Sequence, residues 1–525
     1  MSTVGEGSVD TTPPAEAIPD ATDGCVVWHR RQLRTRDHPA LAYAARDYDS
    51  ILPLFIFDPH FYGDDSLACD ARIRFCHESL VDLDDQYATH GGRLNYAHGD
   101  PIEILSRFSA AGWAVVATAD PTGRYGLQRD NAAAADCDVT FVDGDGLSRN
   151  CEDPRDGWSD AVEQWLTNDQ YTWDPESVSL ASVETHLSPD RIESTYGIEP
   201  TKTDVPSGGT DAARDRLRLF SDAIGSYPGN ISAPVDAKSG TSRLSPHLRF
   251  GCLSIREVYQ YVQDNASGRG KQMFISRLYW NRHYNQKLED WAGWMDRAVN
   301  PAMEKFYADS HDPELVDAWK EGQTGYPMVD ASMRCLAKTG WLNFRMRAMC
   351  ASFLCDLLAQ PWKPGADWFY YHLIGADPAI NYTQFQTQAG MVGVNTMRVY
   401  NPRKQVRDND PDGEFIREWV PELAALPADH LARPEKTPLH VQDDCGVVVG
   451  ETYPYPVVEY EAARRRCLDR LEAVQPDAEQ ALHIPEVARR ASLSRRGRSM
   501  GANDDSPTDE KSTSQSSLSA FGTDR

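Results

Sequence analysis

Gly240-Thr241-Ser242-Arg243-Leu244-Ser245-Pro246 is a short run of small and hydroxyl-bearing residues around one arginine, set just before helix-forming sequence. Such a turn can wrap an anion. Its backbone N–H groups, the Thr241, Ser242 and Ser245 hydroxyls and the Arg243 guanidinium would face a phosphate or pyrophosphate, and the following helix N-terminus adds partial positive charge. The bland alternative is an ordinary Ser/Thr helix cap. Reading outward, three further stretches rich in aromatics and arginine follow: Trp280-Asn281-Arg282-His283-Tyr284, Trp319 through Gly325-Tyr326-Pro327-Met328-Val329-Asp330-Ala331, and Gly340-Trp341-Leu342-Asn343-Phe344-Arg345-Met346-Arg347.

Together with Asn401-Pro402 and the segment Gly413 to Leu423, these stretches resemble the flavin-binding domain of the DNA photolyase/cryptochrome family. Val26-Val27-Trp28-His29-Arg30 with Leu33-Arg34-Thr35-Arg36-Asp37 resembles the family's opening strand and loop, so the resemblance runs over roughly residues 24–470. It implies FAD held without a covalent bond in a helical C-terminal domain. The cofactor contacts it implies are Tyr227, Thr241, Ser242, Arg243, Leu244 and Ser245, with Arg347 and Asp377 as a buried pair near the ring and Asn381 facing the flavin N5. The last three form the implied catalytic set. Trp280 matches a base-stacking position and Arg345 a phosphate contact; Arg277, Phe344 and Thr387 fall at the family's other DNA-facing positions.

Several of those positions depart from the family pattern. Arg277 stands where repair enzymes have glutamate, Phe344 replaces asparagine or histidine, and Thr387 replaces a dimer-packing tryptophan. Gly375 replaces the first of two aspartates. In the tryptophan relay Trp362 is retained, Tyr307 falls near the outer member, and Phe385 replaces the inner one with a ring much harder to oxidise.

Composition sets outer bounds. With 53 Lys+Arg against 79 Asp+Glu the net charge is −26, which argues against a general nucleic-acid binder unless the arginines gather on one groove. Arg243, Arg249, Arg277, Arg282, Arg334, Arg345, Arg347, Arg398, Arg403, Lys404 and Arg407 do fall in or near the motifs. The 11 cysteines are scattered without a C-x-x-C pair, which argues against a disulfide framework or a metal site and for a reducing cytoplasm. A monomer without a membrane span is expected.

Residues 1–23 are polar and cannot build a core, so they read as disordered. From 24 to 145, apolar runs at Cys25–Trp28, Ile51–Phe57, Arg93–Ala97, Trp113–Thr118 and Asp138–Val142 alternate with helical stretches. That alternation predicts an α/β domain: an open, mainly parallel, doubly wound sheet. No G-x-G-x-x-G follows the first strand, which counts against a nucleotide-dependent α/β enzyme. The family resemblance implies room in this domain for an antenna chromophore, a pterin or deazaflavin. Residues 146–210 read as a connection laid over the surface, 211–480 as a larger all-α FAD-binding domain, and 481–525 as a disordered tail carrying Arg489, Arg490, Arg495, Arg496 and Arg498.

The activity implied is a light-driven, FAD-dependent photolyase acting on pyrimidine dimers in UV-damaged DNA, a lyase that uses electron transfer from reduced flavin. The alternative is a cryptochrome-like blue-light receptor that binds FAD and signals to a partner through the tail. The replaced dimer contacts favour the receptor; the DNA-facing arginines and Asn381 favour repair.

Overall fold

A computed structural model of the chain describes residues 18–491, apart from 22, 64–65, 150, 152–153 and 394–398. Arg398, Arg495, Arg496 and Arg498, and most of the segment expected to be disordered at the N-terminus, lie outside the described residues.

Five apolar runs form β1 (Gly24–His29), β2 (Ser50–Phe57), β3 (Asn95–His98), β4 (Ala114–Thr118) and β5 (Thr140–Val142), in the order β3-β2-β1-β4-β5 with every pairing parallel. The register follows from side-chain alternation. Val26, Trp28, Leu52, Leu54 and Ile56 enter the core on one face, while Cys25, Val27, Ile51, Phe55 and Phe57 enter the core on the other. Helices cover both faces, which is why these strands read as continuous apolar runs rather than alternating ones. The helices begin where caps allow: the His38 side chain accepts from Leu41 N, and Asp100 accepts from Ile102 N and Glu103 N.

The 146–210 connection departs from expectation. It holds a helix at Trp158–Thr167, a two-residue strand β6 (Ser179–Leu180) that pairs in parallel with β2, and a helix at Pro189–Tyr196. The first is an amphipathic helix whose Trp158, Val162 and Leu166, four apart, share the core of the helical domain with Phe220 and Phe274. The connection therefore ties the two domains together.

The opening loop does the same. Asp37 is buried in an ion pair with Arg256 and accepts a 2.5 Å hydrogen bond from Ser254 Oγ, while Arg34 Nη1 donates to Gly251 O at 2.8 Å. A paired, hydrogen-bonded buried charge of this kind fixes geometry; removing one partner would strand the other.

Past Thr210 the described chain is helical. Helices Gly268–Asp290, Phe344–Ser352, Trp362–His372 and Pro378–Gln388 surround the candidate site. Helix Tyr460–Ala481 is followed by a short one, Pro485–Arg490, in the region expected to be tail. Leu482, Val487, Ala488 and Ala491 are buried there, and Leu482, Val487 and Ala491 share a core with Leu288, Trp294 and Ala379, so the packed chain reaches at least Ala491. No described helix is long and apolar enough to cross a membrane.

Candidate functional site

Helix Phe344–Ser352 carries two arginines that form no ion pair among the described residues. Arg347 is half-buried, its Nε is enclosed without a hydrogen-bond partner, and among the described residues no carboxylate pairs with it. Burial pushes its guanidinium down to about 10. A guanidinium keeps its proton at neutral pH, so one held there without a counter-ion is costly unless a ligand brings an anionic or strongly polar group. Arg345, two residues earlier, likewise has an enclosed Nε without a partner.

Arg347 shares a pocket with Arg243, Ser245, Pro246, Trp341 and Gly375, so the hydroxyl-bearing turn and the unmet arginine do converge. The enclosed volume is about 20 Å³, room for one water, so a dinucleotide seated on Arg347 must extend beyond this recess. Gly375 lies against the turn: a Cβ there would sit 2.6 Å from Pro246 N and 2.7 Å from Ser245 Oγ. The close backbone approach explains why the aspartate of the family pattern has no place here.

Two expected contacts are redirected. Asp377 does not pair with Arg347. Its Oδ2 accepts from Arg31 Nη2 at 3.3 Å, across the domain boundary, and its Oδ1 caps helix Pro378–Gln388 by accepting from Ile380 N at 3.3 Å. N-capping turns the carboxylate toward the helix start, where Arg31 is the cation in reach. Arg243, in turn, does not point its guanidinium freely at an anion: Nη1 pairs with Asp204 Oδ2 at 2.9 Å, Nη2 donates to Asp204 O at 3.0 Å, and the group lies 5.2 Å over the Trp341 ring. Its φ of +49° is a left-handed conformation rare for a side-chain-bearing residue, so the turn is held in a strained shape by that clamp.

The remaining turn residues divide. Thr241 Oγ1 donates back to Ala237 O at 2.7 Å, Ser242 Oγ accepts from Leu244 N at 3.4 Å, Leu244 is fully buried, and Ser245 is exposed. Arg216, which the sequence does not single out, donates to the Ser242 and Thr241 carbonyls at 2.7 Å each. With their carbonyls engaged this way, an arginine is built into the turn, and only its position on helix Thr210–Ala223 could have signalled it. Tyr227 is buried between Phe220 and Phe274, and its hydroxyl is hydrogen-bonded to Arg277, so the expected cofactor contact and the expected DNA contact meet each other.

Asn381 donates from Nδ2 to Ala366 O at 2.9 Å, leaving Oδ1 as its open acceptor. Trp280 stacks on Tyr284 at 5.5 Å and 20°, and Tyr284 is tied to Gln384 on the helix that bears Asn381. Phe344 is 50% exposed, unusual for a phenylalanine beside two unmet arginines. Thr387 is exposed with its hydroxyl bonded back to Thr383 O at 2.7 Å. Trp362 and Tyr307 are buried in the same core, yet no described ring packs edge or face against Trp362, and Tyr307 contacts Phe306 and Cys467 instead. Among the described residues, one aromatic path from the Asn381 helix runs Phe385–Phe369 (5.5 Å) and Phe369–Trp319 (5.6 Å, stacked), ending on a fully buried tryptophan that the relay pattern does not include, and Tyr382 on the same helix packs on Tyr370 at 5.5 Å.

Residues 25–148 match the family described as DNA photolyase, and residues 274–473 match the FAD binding domain of DNA photolyase. A deoxyribodipyrimidine photo-lyase of Halobacterium salinarum is 30% identical over 491 residues, covering 86% of this chain and 99% of that protein. The chain belongs to the DNA photolyase/cryptochrome family. A cryptochrome DASH of Natronomonas pharaonis is 28% identical, covering 84% of this chain and 99% of that one. Among solved structures, a class III photolyase from Agrobacterium tumefaciens superposes with a TM-score of 0.73 at 28% identity, covering 90% of this chain and all of that one. An archaeal photolyase from Sulfolobus tokodaii, solved with two FAD molecules, gives 0.72 at 26% identity over 86% of this chain and all of that one. Membership accounts for the two-domain architecture and for a helical domain of the FAD-binding kind. An arginine without a counter-ion among the described residues, an amide oxygen outside the side-chain hydrogen bond of Asn381 and the exposed Ser245 of the turn fit such a ligand.

Proposed function

We propose that this protein is a blue-light-driven, FAD-dependent DNA photolyase that splits UV-induced pyrimidine dimers, with Arg347, Asn381 and the Thr241–Ser245 turn as its cofactor contacts. Bound reduced FAD supplies the light-activated electron that opens the dimer and is then recovered. The observation that carries the reading is Arg347: a half-buried guanidinium without a counter-ion among the described residues, sharing a recess with the turn, in a domain matched to the FAD binding domain of DNA photolyase.

In this reading the chain's own residues hold and shield rather than react. Arg347 provides positive potential where negative charge collects on reduction, and Asn381 Oδ1 accepts from a protonated ring nitrogen without adding charge. Asp377 acts at one remove, locking the start of the Asn381 helix to Arg31 of the α/β domain. On the DNA side, the Trp280–Tyr284 stack offers a flat surface to an extruded base, exposed Phe344 a second, and Arg345 a phosphate contact, with Arg277 and Thr387 at the rim. A pterin or deazaflavin antenna would belong to the α/β domain. We further propose that the protein works as a monomer in the cytoplasm.

Phe385 and the isolation of Trp362 favour a second reading, a receptor in which flavin photochemistry drives signalling through the C-terminal segment rather than repair. The test separates them: chemically pre-reduced protein is illuminated with a UV-treated oligonucleotide, single- and double-stranded, and dimers are counted by chromatography. Light-dependent loss of dimers supports repair; unchanged dimers with intact FAD binding move the assignment to the receptor.

A further inference from the structure

Helix Gly268–Asp290 places Arg277, Trp280, Tyr284 and Lys287 along one face at spacings of three and four, and Trp291 caps its end. Beyond the Trp280–Tyr284 stack, that end carries a feature unrelated to the cofactor. Two guanidiniums share one indole: Arg490 lies 4.4 Å and Arg297 lies 5.3 Å from the Trp291 ring. Arg297 comes from the loop after the helix and Arg490 from the C-terminal helix Pro485–Arg490, so chain segments nearly 200 positions apart converge to make the pair.

Like charges gathered this closely need an anion. Among the described residues neither arginine forms an ion pair within 4 Å, and Arg490 Nε is enclosed without a hydrogen-bond partner. Of the carboxylates nearby, Asp296 pairs with Arg124, while Glu304, which accepts from Ala298 N, and Glu486, one turn before Arg490 on its own helix, attract Arg490 from beyond ion-pair distance. Arg489 is exposed beside the pair. In a chain with a net charge of −26, two guanidiniums on one indole, without an ion pair among the described residues, stand out against the acidic composition.

We propose that Arg297 and Arg490, mounted on Trp291, form a second phosphate-binding face that grips the DNA backbone to one side of the lesion pocket. This rests on the DNA-repair reading and deepens it. The chemistry is that of a phosphodiester: planar guanidiniums offer paired donors to phosphate oxygens, and the indole keeps both from wandering. Geometry sets the register. Eleven residues separate Trp280 from Trp291, about 16 Å along the helix at 1.5 Å per residue, which is roughly five nucleotides of one strand at 3.4 Å each. The contact is to the backbone alone, so it carries affinity and orientation without sequence or lesion preference. The described chain ends at Ala491 beside this face, and its next arginines in sequence are Arg495, Arg496 and Arg498.

The test is dark DNA binding by the full-length, flavin-loaded protein across a salt series, with R297Q/R490Q and R297K/R490K. Losing two phosphate contacts lowers the slope of log affinity against log salt by about 1.8, so between 50 and 200 mM salt the Gln variant loses roughly tenfold less affinity than the wild type does. The loss is equal for damaged and undamaged duplex. Trimming the duplex to fewer than about five base pairs on one flank of the dimer, and only that one, weakens the wild type and leaves the Gln variant unaffected. The Lys variant, which keeps both charges, restores the slope and serves as the control for folding. An unchanged slope in a Gln variant that melts with the wild type overturns the proposal, as does a loss confined to damaged DNA. Either result leaves the repair reading standing if the wild type still binds DNA and clears dimers in light; a wild type that binds no DNA brings down the repair reading instead.

Discussion

Replacing Arg347 by methionine separates two effects that a merely structural arginine would not separate. Without ligand, Arg347 is a half-buried cation with an enclosed, unpartnered Nε, held by burial at about 10, below the ordinary guanidinium range. The folded-state value lies below the unfolded one, so the charged form is disfavoured by folding at every pH below about 10, and the cost is relieved only as pH rises from there toward the ordinary guanidinium value. At neutral pH the full penalty stands, on the order of 2–3 kcal/mol after discounting for partial solvent access. Arg347→Met removes that penalty and keeps the stem's packing, so the apoprotein becomes more stable. The same change removes a charge-assisted contact to the cofactor worth about 1.5–3 kcal/mol, a roughly ten- to hundredfold rise in FAD dissociation constant. The assay is urea unfolding of flavin-stripped protein beside fluorescence titration with FAD. Opposite signs are predicted: a higher unfolding midpoint and weaker binding. A variant that is less stable as apoprotein and binds FAD as tightly as the wild type would refute the reasoning, since Arg347 would then be a packing residue.

Arg243→Ala should act on the fold more than on the cofactor. Its guanidinium is committed to Asp204, and a partly exposed pair of this kind contributes about 0–1 kcal/mol, read as a small fall in apoprotein melting temperature with FAD affinity changed less than in the Arg347 variant. Gly375→Asp, which would restore the family's missing aspartate, should empty the protein of flavin, because its Cβ would press on Pro246 N and Ser245 Oγ; the ratio of flavin to protein absorbance checks this. Asp356, fully buried with Oδ1 unpartnered, is pushed up to about 8 by burial. A folded value above the unfolded one means its contribution is intact below about pH 4 and is lost as pH rises through 8, so Asp356→Asn should flatten the fall in melting temperature across that window and raise it at pH 9.

Much of the fold is legible in the chain because burial on both faces leaves a plain trace. β1 and β2 lie inside a parallel sheet, so neither can afford polar positions, and Cys25–Trp28 and Ile51–Phe57 stand out as unbroken apolar runs. The segment 146–210 hides its elements because each is short: one helix of ten residues, one of eight and a strand of two leave too few periods for a pattern to emerge. At the site, residue types are legible and partnerships are not. Asp377 and Arg347 look like mutual counter-ions in sequence, but the partner of Asp377 is Arg31, 346 positions away in the other domain. Arg216 has no motif around it; its role arises from where helix Thr210–Ala223 passes the turn. Gly375 looks like a lost aspartate until the backbone of Ser245–Pro246 is seen against it. The cation pair on Trp291 depends on a helix in what reads as a polar tail, buried through only a few apolar residues.

The most direct test of the central claim is the cofactor itself. Protein purified in the dark is denatured, and the released chromophore is quantified by absorbance and chromatography against authentic FAD. Close to one equivalent of non-covalent FAD per chain is expected, or its recovery when stripped protein is mixed with excess cofactor. Protein that is colourless and stays colourless in excess FAD would contradict it.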